Sequence, residues 1–290
     1  MKKVILSVAL LTFSFSVFSQ EEESTGPVKV SETFNSTRII NGHSIETLEK
    51  GYWEYRIEHR FGDIGGTNGG ADQGFGLDQA SDIRFAFEYG VNDRLMLGLG
   101  RDKGSATAYR SILDGFVKYK LLQQMETGMP ISMTVVGSSL LAYAKASTDV
   151  TSFSNYPKFA HRMAYSTQLN IARKFSDHIS LSLMPTWVHR NYVASTDVND
   201  LLALGGALSI KLSKKWALLT EYYHTFHDAT VLPNLQNSFS FGVEWCTFGH
   251  NFHMNFSNAS LFNEAQFIPF TTEQWSKGQF RFGFSISRSF

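Results

Sequence analysis

The stretch WEYRIEHRF, residues 53–61, carries an ionisable side chain at every second position: Glu54, Arg56, Glu58 and Arg60. Alternate residues of an extended chain share a face, so these four form one column, with Trp53, Tyr55, Ile57 and Phe61 on the other side. The same parity carried along the chain adds Arg84, Glu88, Asp114, Lys118, Lys120, Arg162, Glu221, Glu244 and Arg281 to the polar side. Opposed charges facing a lumen can select a polar solute, as charged rings in pores do. The same groups can instead neutralise one another, filling the space and stiffening the wall. A buried charge is tolerated when paired, and removing one partner costs about 3–5 kcal/mol. The matched signs of Glu54 and Arg56 against Arg84 and Glu88 suit a mixed network around a narrow passage, with a closed plug as the alternative.

Other chemistries find less support. The nine histidines include HTFH (His224, His227) and HNFH (His250, His253). In a strand, positions i and i+3 face opposite ways, so neither pair can chelate, and no metal is expected. His59, His189 and His224 share parity with the apolar residues, where an interfacial imidazole can meet lipid head groups. A hydrolase set in a barrel wall needs Ser, His and Asn or Asp converging on one face. Ser166 and Asn170 share a face, but no inward histidine on an adjoining strand completes a triad. GDIGGTNGGADQGFG follows a strand, opens no helix and holds no lysine, so it is a mobile loop and no phosphate cradle. No catalytic residue and no cofactor is expected.

Strands must position these residues. DIRFAFEYGV, RLMLGLG, MAYSTQLNIARKF and NSFSFGVEW all alternate apolar with polar or small residues, and period two repeated this often indicates strands. Twelve are expected, at about 52–61, 81–91, 94–101, 109–121, 130–144, 160–175, 178–190, 201–213, 216–227, 236–246, 250–258 and 278–290. Lys plus Arg equals Asp plus Glu at 26 each, so no charge excess points to nucleic acid. The lone Cys246 forms no internal disulfide. Beyond the amino terminus no apolar run reaches the roughly 18 residues of a spanning helix. A chain this aromatic, 14% with 25 Phe, suits a secreted β-sandwich or a transmembrane barrel.

Two features favour the barrel. The polar faces are rich in Gly, Ala and Ser, as a crowded lumen requires, and long and short links alternate, with QQMETGMP the weakest case. An even strand number leaves both ends of the barrel on the side of the short turns. MKKVILSVALLTFSFSVFSQ has the basic start, apolar run and small cut-site residues of a signal peptide. The expected organisation is therefore a signal peptide at 1–19, a periplasmic amino-terminal segment at 20–50, and an all-β antiparallel outer-membrane barrel at 51–290. Residues 33–50 are polar and lack alternation. They can plug the lumen, dock a periplasmic partner, or cap the lower rim as an ordered lead-in.

QFRFGFSISRSF, the last twelve residues, resembles the carboxy-terminal assembly signal of outer-membrane barrels. The resemblance implies recognition by the barrel-assembly machinery through Phe282, Phe284 and Phe290. A second resemblance lies in Thr33–Ile64, carried by Asn35-Ser36-Thr37-Arg38, Asn41-Gly42-His43-Ser44, Glu46 and Ile57-Glu58-His59-Arg60-Phe61-Gly62. This run is similar to the opening of an uncharacterised β-barrel family of Bacteroidota outer membranes, which has no assigned activity. The expected function is a narrow, porin-like pore for passive passage of a small polar solute, with the surrounding lipids as its constant partner. The alternatives are a non-conducting barrel serving as an anchor, adhesion or docking platform and, third, a barrel-embedded hydrolase.

Overall fold

The computed structural model describes residues 28–79, 82–104, 111–150 and 152–290. The expected leader at 1–19 lies outside the described residues. Twelve strands follow one another: β1 (Trp53–Asp63), β2 (Asp82–Asn92), β3 (Leu95–Lys103), β4 (Ser111–Leu122), β5 (Ser132–Ala142), β6 (Met163–Lys174), β7 (Ile179–Arg190), β8 (Asp200–Lys211), β9 (Trp216–Phe226), β10 (Ser238–Cys246), β11 (His250–Ser257) and β12 (Arg281–Ser289). Each pairs antiparallel with its neighbour, and β12 pairs with β1, so the sheet is a closed antiparallel barrel. Closure matters in a bilayer because an unpaired strand edge finds no water to satisfy it. The seam aligns Ile57 with Ile286 and His59 with Phe284. Trp53 and Phe290 extend it by exchanging backbone bonds of 3.2 and 2.8 Å.

The short turns are made by their own side chains. Asn92 Oδ1 accepts the amides of Arg94 and Leu95, both at 2.9 Å. Ser176 Oγ does the same for His178 and Ile179, and Ser213 Oγ for Lys215 and Trp216. Such side-chain-capped turns fix a tight reversal without a long loop. All three lie at the barrel end that also receives the chain from residue 52.

Outward positions are exposed and inward ones buried, and β7 alternates so along almost its whole length. Aromatic rings gather at both ends of the outer surface. Trp53–Tyr89 (4.4 Å), Trp216–Trp245 (5.5 Å) and Trp245–Phe252 (5.2 Å) mark the short-turn end. Phe61–Phe282 (5.6 Å) and Trp275–Phe280 (4.3 Å) mark the long-loop end. Two aromatic girdles around an apolar band are what a membrane-embedded barrel presents to lipid.

Two stretches outside the wall enter the barrel. Residues 33–48 come from the short-turn end, with Phe34, Ile39, His43 and Ile45 almost fully buried. The β11–β12 connection enters from the long-loop end and forms α1 (Glu264–Phe270), buried against β5–β8. Residues 33–48 therefore sit in the lumen as a plug, and the rim-capping reading gives way. The reason is composition: Phe34, Ile39, Ile40 and Ile45 need an apolar surface, which the inner wall supplies and the rim does not.

Candidate functional site: the occupied lumen

The inner wall has two halves. On β1–β4 it is ionic. Arg56 pairs with Glu54 at 2.6 Å and lies 3.9 Å from Glu88, while Arg84 pairs with Asp114 at 2.6 Å and also binds Glu58. Glu58 faces Arg84 directly across the β1–β2 ladder, whereas Arg56 reaches Glu54 along its own strand and Glu88 diagonally. On β5–β9 the wall is apolar and small, with Leu140, Ala164, Met184, Val188, Ala203 and Leu219 in one cluster with α1. Tyr223 stands in this half, its hydroxyl accepting from Gln168 Nε2 at 2.8 Å.

The plug reads the wall residue by residue. Residues 37–44 form a hairpin: Ile39 N donates to Gly42 O and Ser44 N to Thr37 O, each at 3.0 Å. At its tip three successive amides, Ile40, Asn41 and Gly42, converge on the Glu221 carboxylate at 3.2, 3.0 and 3.0 Å. Consecutive backbone N–H groups around an anion make a nest. Gly42 is required there by space, because a Cβ would lie 2.0 Å from the Tyr223 hydroxyl oxygen. Along one side Thr37 Oγ1 meets Glu54 and Glu88 at 3.2 and 3.1 Å, and Lys118 Nζ donates to the carbonyls of Thr37 and Glu46. Asn35 Nδ2 donates to Glu244 at 2.8 Å, and Glu244 also accepts from His253 Nε2 at 3.0 Å. Burial, reinforced by Arg38, Lys118, Arg84 and Arg56, holds the His43 imidazole well below its ordinary range.

The second insert is held differently. Phe267 packs edge-on against Tyr223 at 5.0 Å, and Ala265 and Ile268 complete the contact with the small half-wall. Gln266 Nε2 reaches Asp102 at 2.8 Å. Neither Glu264 oxygen and neither polar atom of the Asn263 side chain has a hydrogen-bond partner among the described residues, although both residues are buried. Burial pushes the Glu264 carboxyl up from its ordinary range, against the pull of Arg38. Tyr223, beside Gly42 and Phe267, reaches both inserts, and so does Arg60. Arg60 donates to Asn41 Oδ1 of the plug and to Ala259 O of the connection, and its guanidinium lies 5.4 Å from the Phe262 ring centre.

Of the sequence-derived set, Glu54, Arg56, Glu58, Arg60, Arg84, Glu88, Asp114, Lys118, Glu221 and Glu244 are buried inside the barrel. Lys120 is half-buried and lines a cavity at the short-turn mouth with Lys29 and Glu46. Arg281 binds Glu273 at 3.2 Å, at the long-loop end of β12. Arg162 departs from the lumenal expectation. It precedes β6, donates to the Ala142 and Ala144 carbonyls at 2.9 and 2.7 Å, and lies over the Tyr156 ring. The alternation of β6 begins one residue later, so parity could not be extended to it. Phe282 and Phe284 line the outer surface beside Phe61 and His59.

Sequence reasoning missed Tyr223, Asn41 and the β11–β12 insert. The Asn-Gly pair at 41–42 is a hairpin signal that could have found the plug's turn. His253 was weighed only as half of a chelating pair. It faces inward, with Ser285 opposite in register, yet Glu244 takes its Nε2 and no bond to Ser285 is found among the described residues.

Fold and lumen together define the class: a closed, twelve-stranded membrane β-barrel whose interior is occupied by its own chain. The chain belongs to the family of the membrane bound beta barrel domain (DUF5777), whose model matches residues 34–290. The match begins inside the plug, so the family is defined by barrel and insert together. No curated protein matches. The KdgM porin is similar in structure at 10% identity and a TM-score of 0.50, covering 82% of this chain and 99% of that one. The COG4313 outer membrane channel from Pseudomonas putida F1 follows at 15% identity and 0.47, covering 85% and 98%. At such identities the likeness concerns the fold.

Proposed function

We propose that the protein is an outer-membrane channel for a small polar solute, closed in this state by two removable segments. One observation carries the reading: the obstruction is not part of the wall. A barrel of about eight strands can be filled by its own side chains, whereas twelve enclose more space than that. Here the inward positions of β8 and β12 are largely small, among them Ala203, Gly205, Ala207, Gly283, Ser285 and Ser287. The room they leave is taken by the plug and α1. With both withdrawn, the passage has the ionic ladder of β1–β4 on one side and small side chains on the other, which suits a hydrated polar solute.

The same reading takes residues 1–19 as an export leader, puts the short turns in the periplasm, and assigns the chain to a Bacteroidota outer membrane. The leader's pattern and the Thr33–Ile64 resemblance support it. It holds Phe282, Phe284 and Phe290 to be read by the barrel-assembly machinery. A periplasmic partner of residues 33–50 would have to draw the plug out, because the hairpin is buried while seated. A hydrolytic role lacks a nucleophile: among the described residues no serine hydroxyl is hydrogen-bonded to His253.

Single-channel conductance in planar bilayers tests the proposal. The intact chain is expected to give small, infrequent steps, and variants lacking residues 33–48 or with 260–272 replaced by a Gly-Ser link larger and steadier ones. Folding is checked by heat-modifiable gel mobility. Folded, inserted variants that never conduct would sink the channel reading and leave the platform reading standing.

A further inference from the structure

The lipid-facing wall carries a groove that the channel does not use. Across β6–β9 one row of register partners runs Arg173, Leu181, Leu208, Thr220. The adjacent row, further from the short turns, passes through Leu183, Gly206 and Tyr222. Between bulky leucines, Gly206 and Thr220 leave a low floor, and the result is an apolar depression of about 580 Å³. A Cβ at Gly206 would meet nothing within 4 Å, so this glycine marks open space on the outer surface.

Charge picks the occupant. Arg173 is exposed on the outward face, its guanidinium 5.2 Å from the ring centre of Phe175, at the short-turn end. Among the described residues no carboxylate lies within ion-pair distance of it, although its neighbour Lys174 pairs with Asp177. An arginine at the edge of the apolar band keeps its head at the interface, where lipid phosphates are the available anions. The groove begins at this residue and rises into the hydrocarbon. A flat partner protein would leave the depression empty, whereas a flexible chain fills it.

We propose that the groove of β6–β10 holds an acyl chain of a glycerophospholipid from the leaflet on the short-turn side, with the lipid phosphate on Arg173. The site fits a phosphodiester head with a hydrocarbon tail and is independent of whether the lumen conducts.

Native mass spectrometry of protein freed from micelles tests this, after incubation with phosphatidylglycerol in one arm and phosphatidylethanolamine in another. The intact chain should keep one lipid. R173A, which removes the phosphate contact, and G206F, which fills the floor, should each reduce retention about fivefold, while R173K retains it. G137F is the control, because Gly137 on β5 is also exposed with nothing within 4 Å of a Cβ, but outside the groove. Retention in both arms assigns the phosphodiester as the recognised group; retention of phosphatidylglycerol alone assigns the net negative head. Absence of lipid from the intact chain, equal retention by all variants, equal loss in G137F, or a protein dimer abolished by G206F would each overturn the proposal. Heat-shifted gel mobility confirms that every variant scored is folded.

Discussion

The hairpin of residues 37–44 and the helix α1 occupy the same lumen, yet the first is bound by directed polar contacts and the second by apolar area. The hairpin places three amides on Glu221, a threonine between Glu54 and Glu88, and the Thr37 carbonyl on Lys118, which also holds the Glu46 carbonyl just beyond it. Hydrogen bonds to charged groups contribute about 1.5–3 kcal/mol each and fix one register. α1 has Phe267 against Tyr223 and one side-chain bond to Asp102. Among the described residues, buried polar atoms without partners occur on both inserts: on Glu264 and Asn263 at the helix, and on Arg38 Nε and both His43 ring nitrogens in the hairpin. Unpaired buried polar atoms cost about 1–3 kcal/mol each. The hairpin offsets that cost with several bonds to charged wall groups and the helix with one, so the helix is the easier insert to release and opening should start at the long-loop end.

Variants at the contacts can break this comparison. Arg60→Ala removes a side chain that hydrogen-bonds both inserts to the wall, leaving Asn41 Oδ1 and Ala259 O without their donor. A loss of about 1–3 kcal/mol for each acceptor left unpaired is expected as a lower transition in heat-modifiable mobility, together with larger conductance steps. Phe267→Ala deletes most of the apolar hold on α1. A comparable loss, about 3 kcal/mol or somewhat more, should raise hydrogen exchange in 260–272 and leave 37–44 protected. If 37–44 exchanges first, the ranking of the two inserts is wrong.

Glu221→Ala empties the nest at the hairpin tip, where about 1.5–3 kcal/mol is at stake. Protection should then fall at Ile40, Asn41 and Gly42 before it falls in α1. The smallest effect is a pH dependence. The inserted carboxyl of Glu264 is raised above its free value by burial, so it favours insertion fully at pH below the free value. That contribution is lost as pH rises through the raised value. Open events should therefore become more frequent with rising pH, and Glu264→Gln should flatten that part of the profile. The neighbours facing Glu264 are Arg38, Glu221, Tyr223 and the backbone of His43. An unchanged profile in E264Q would assign the dependence to one of them.

The strands were legible because lipid outside and a polar lumen inside impose period two on every one of them. Expected and observed strand limits differ by only a few residues, most at the starts of β6 and β12, where long loops end. That β1 and β2 share an inward ionic face was readable from parity, but the pairing was not: Glu54 and Arg56 were matched with Arg84 and Glu88, whereas the register sets Glu58 opposite Arg84. Arg162 was misassigned because parity has meaning only inside a strand, and its backbone is a short helical turn.

The inserts were hidden for a different reason. TFNSTRIINGHSIETLEK has no period because a chain inside a barrel is contacted from all sides, one wall ionic and the other apolar. Its isoleucines face β5–β9 and its threonine and asparagines face charges, a mixture that reads as an ordinary polar lead-in. LFNEAQFIPF likewise looks like external loop until Phe267 meets Tyr223. Local alternation and turn chemistry thus suffice to encode a closed barrel and the faces of its side chains, because each strand answers to the same two solvents. Whether its lumen is open depends on which segments fold back into it, and that follows from contacts between residues as distant in the chain as Asn41 and Glu221.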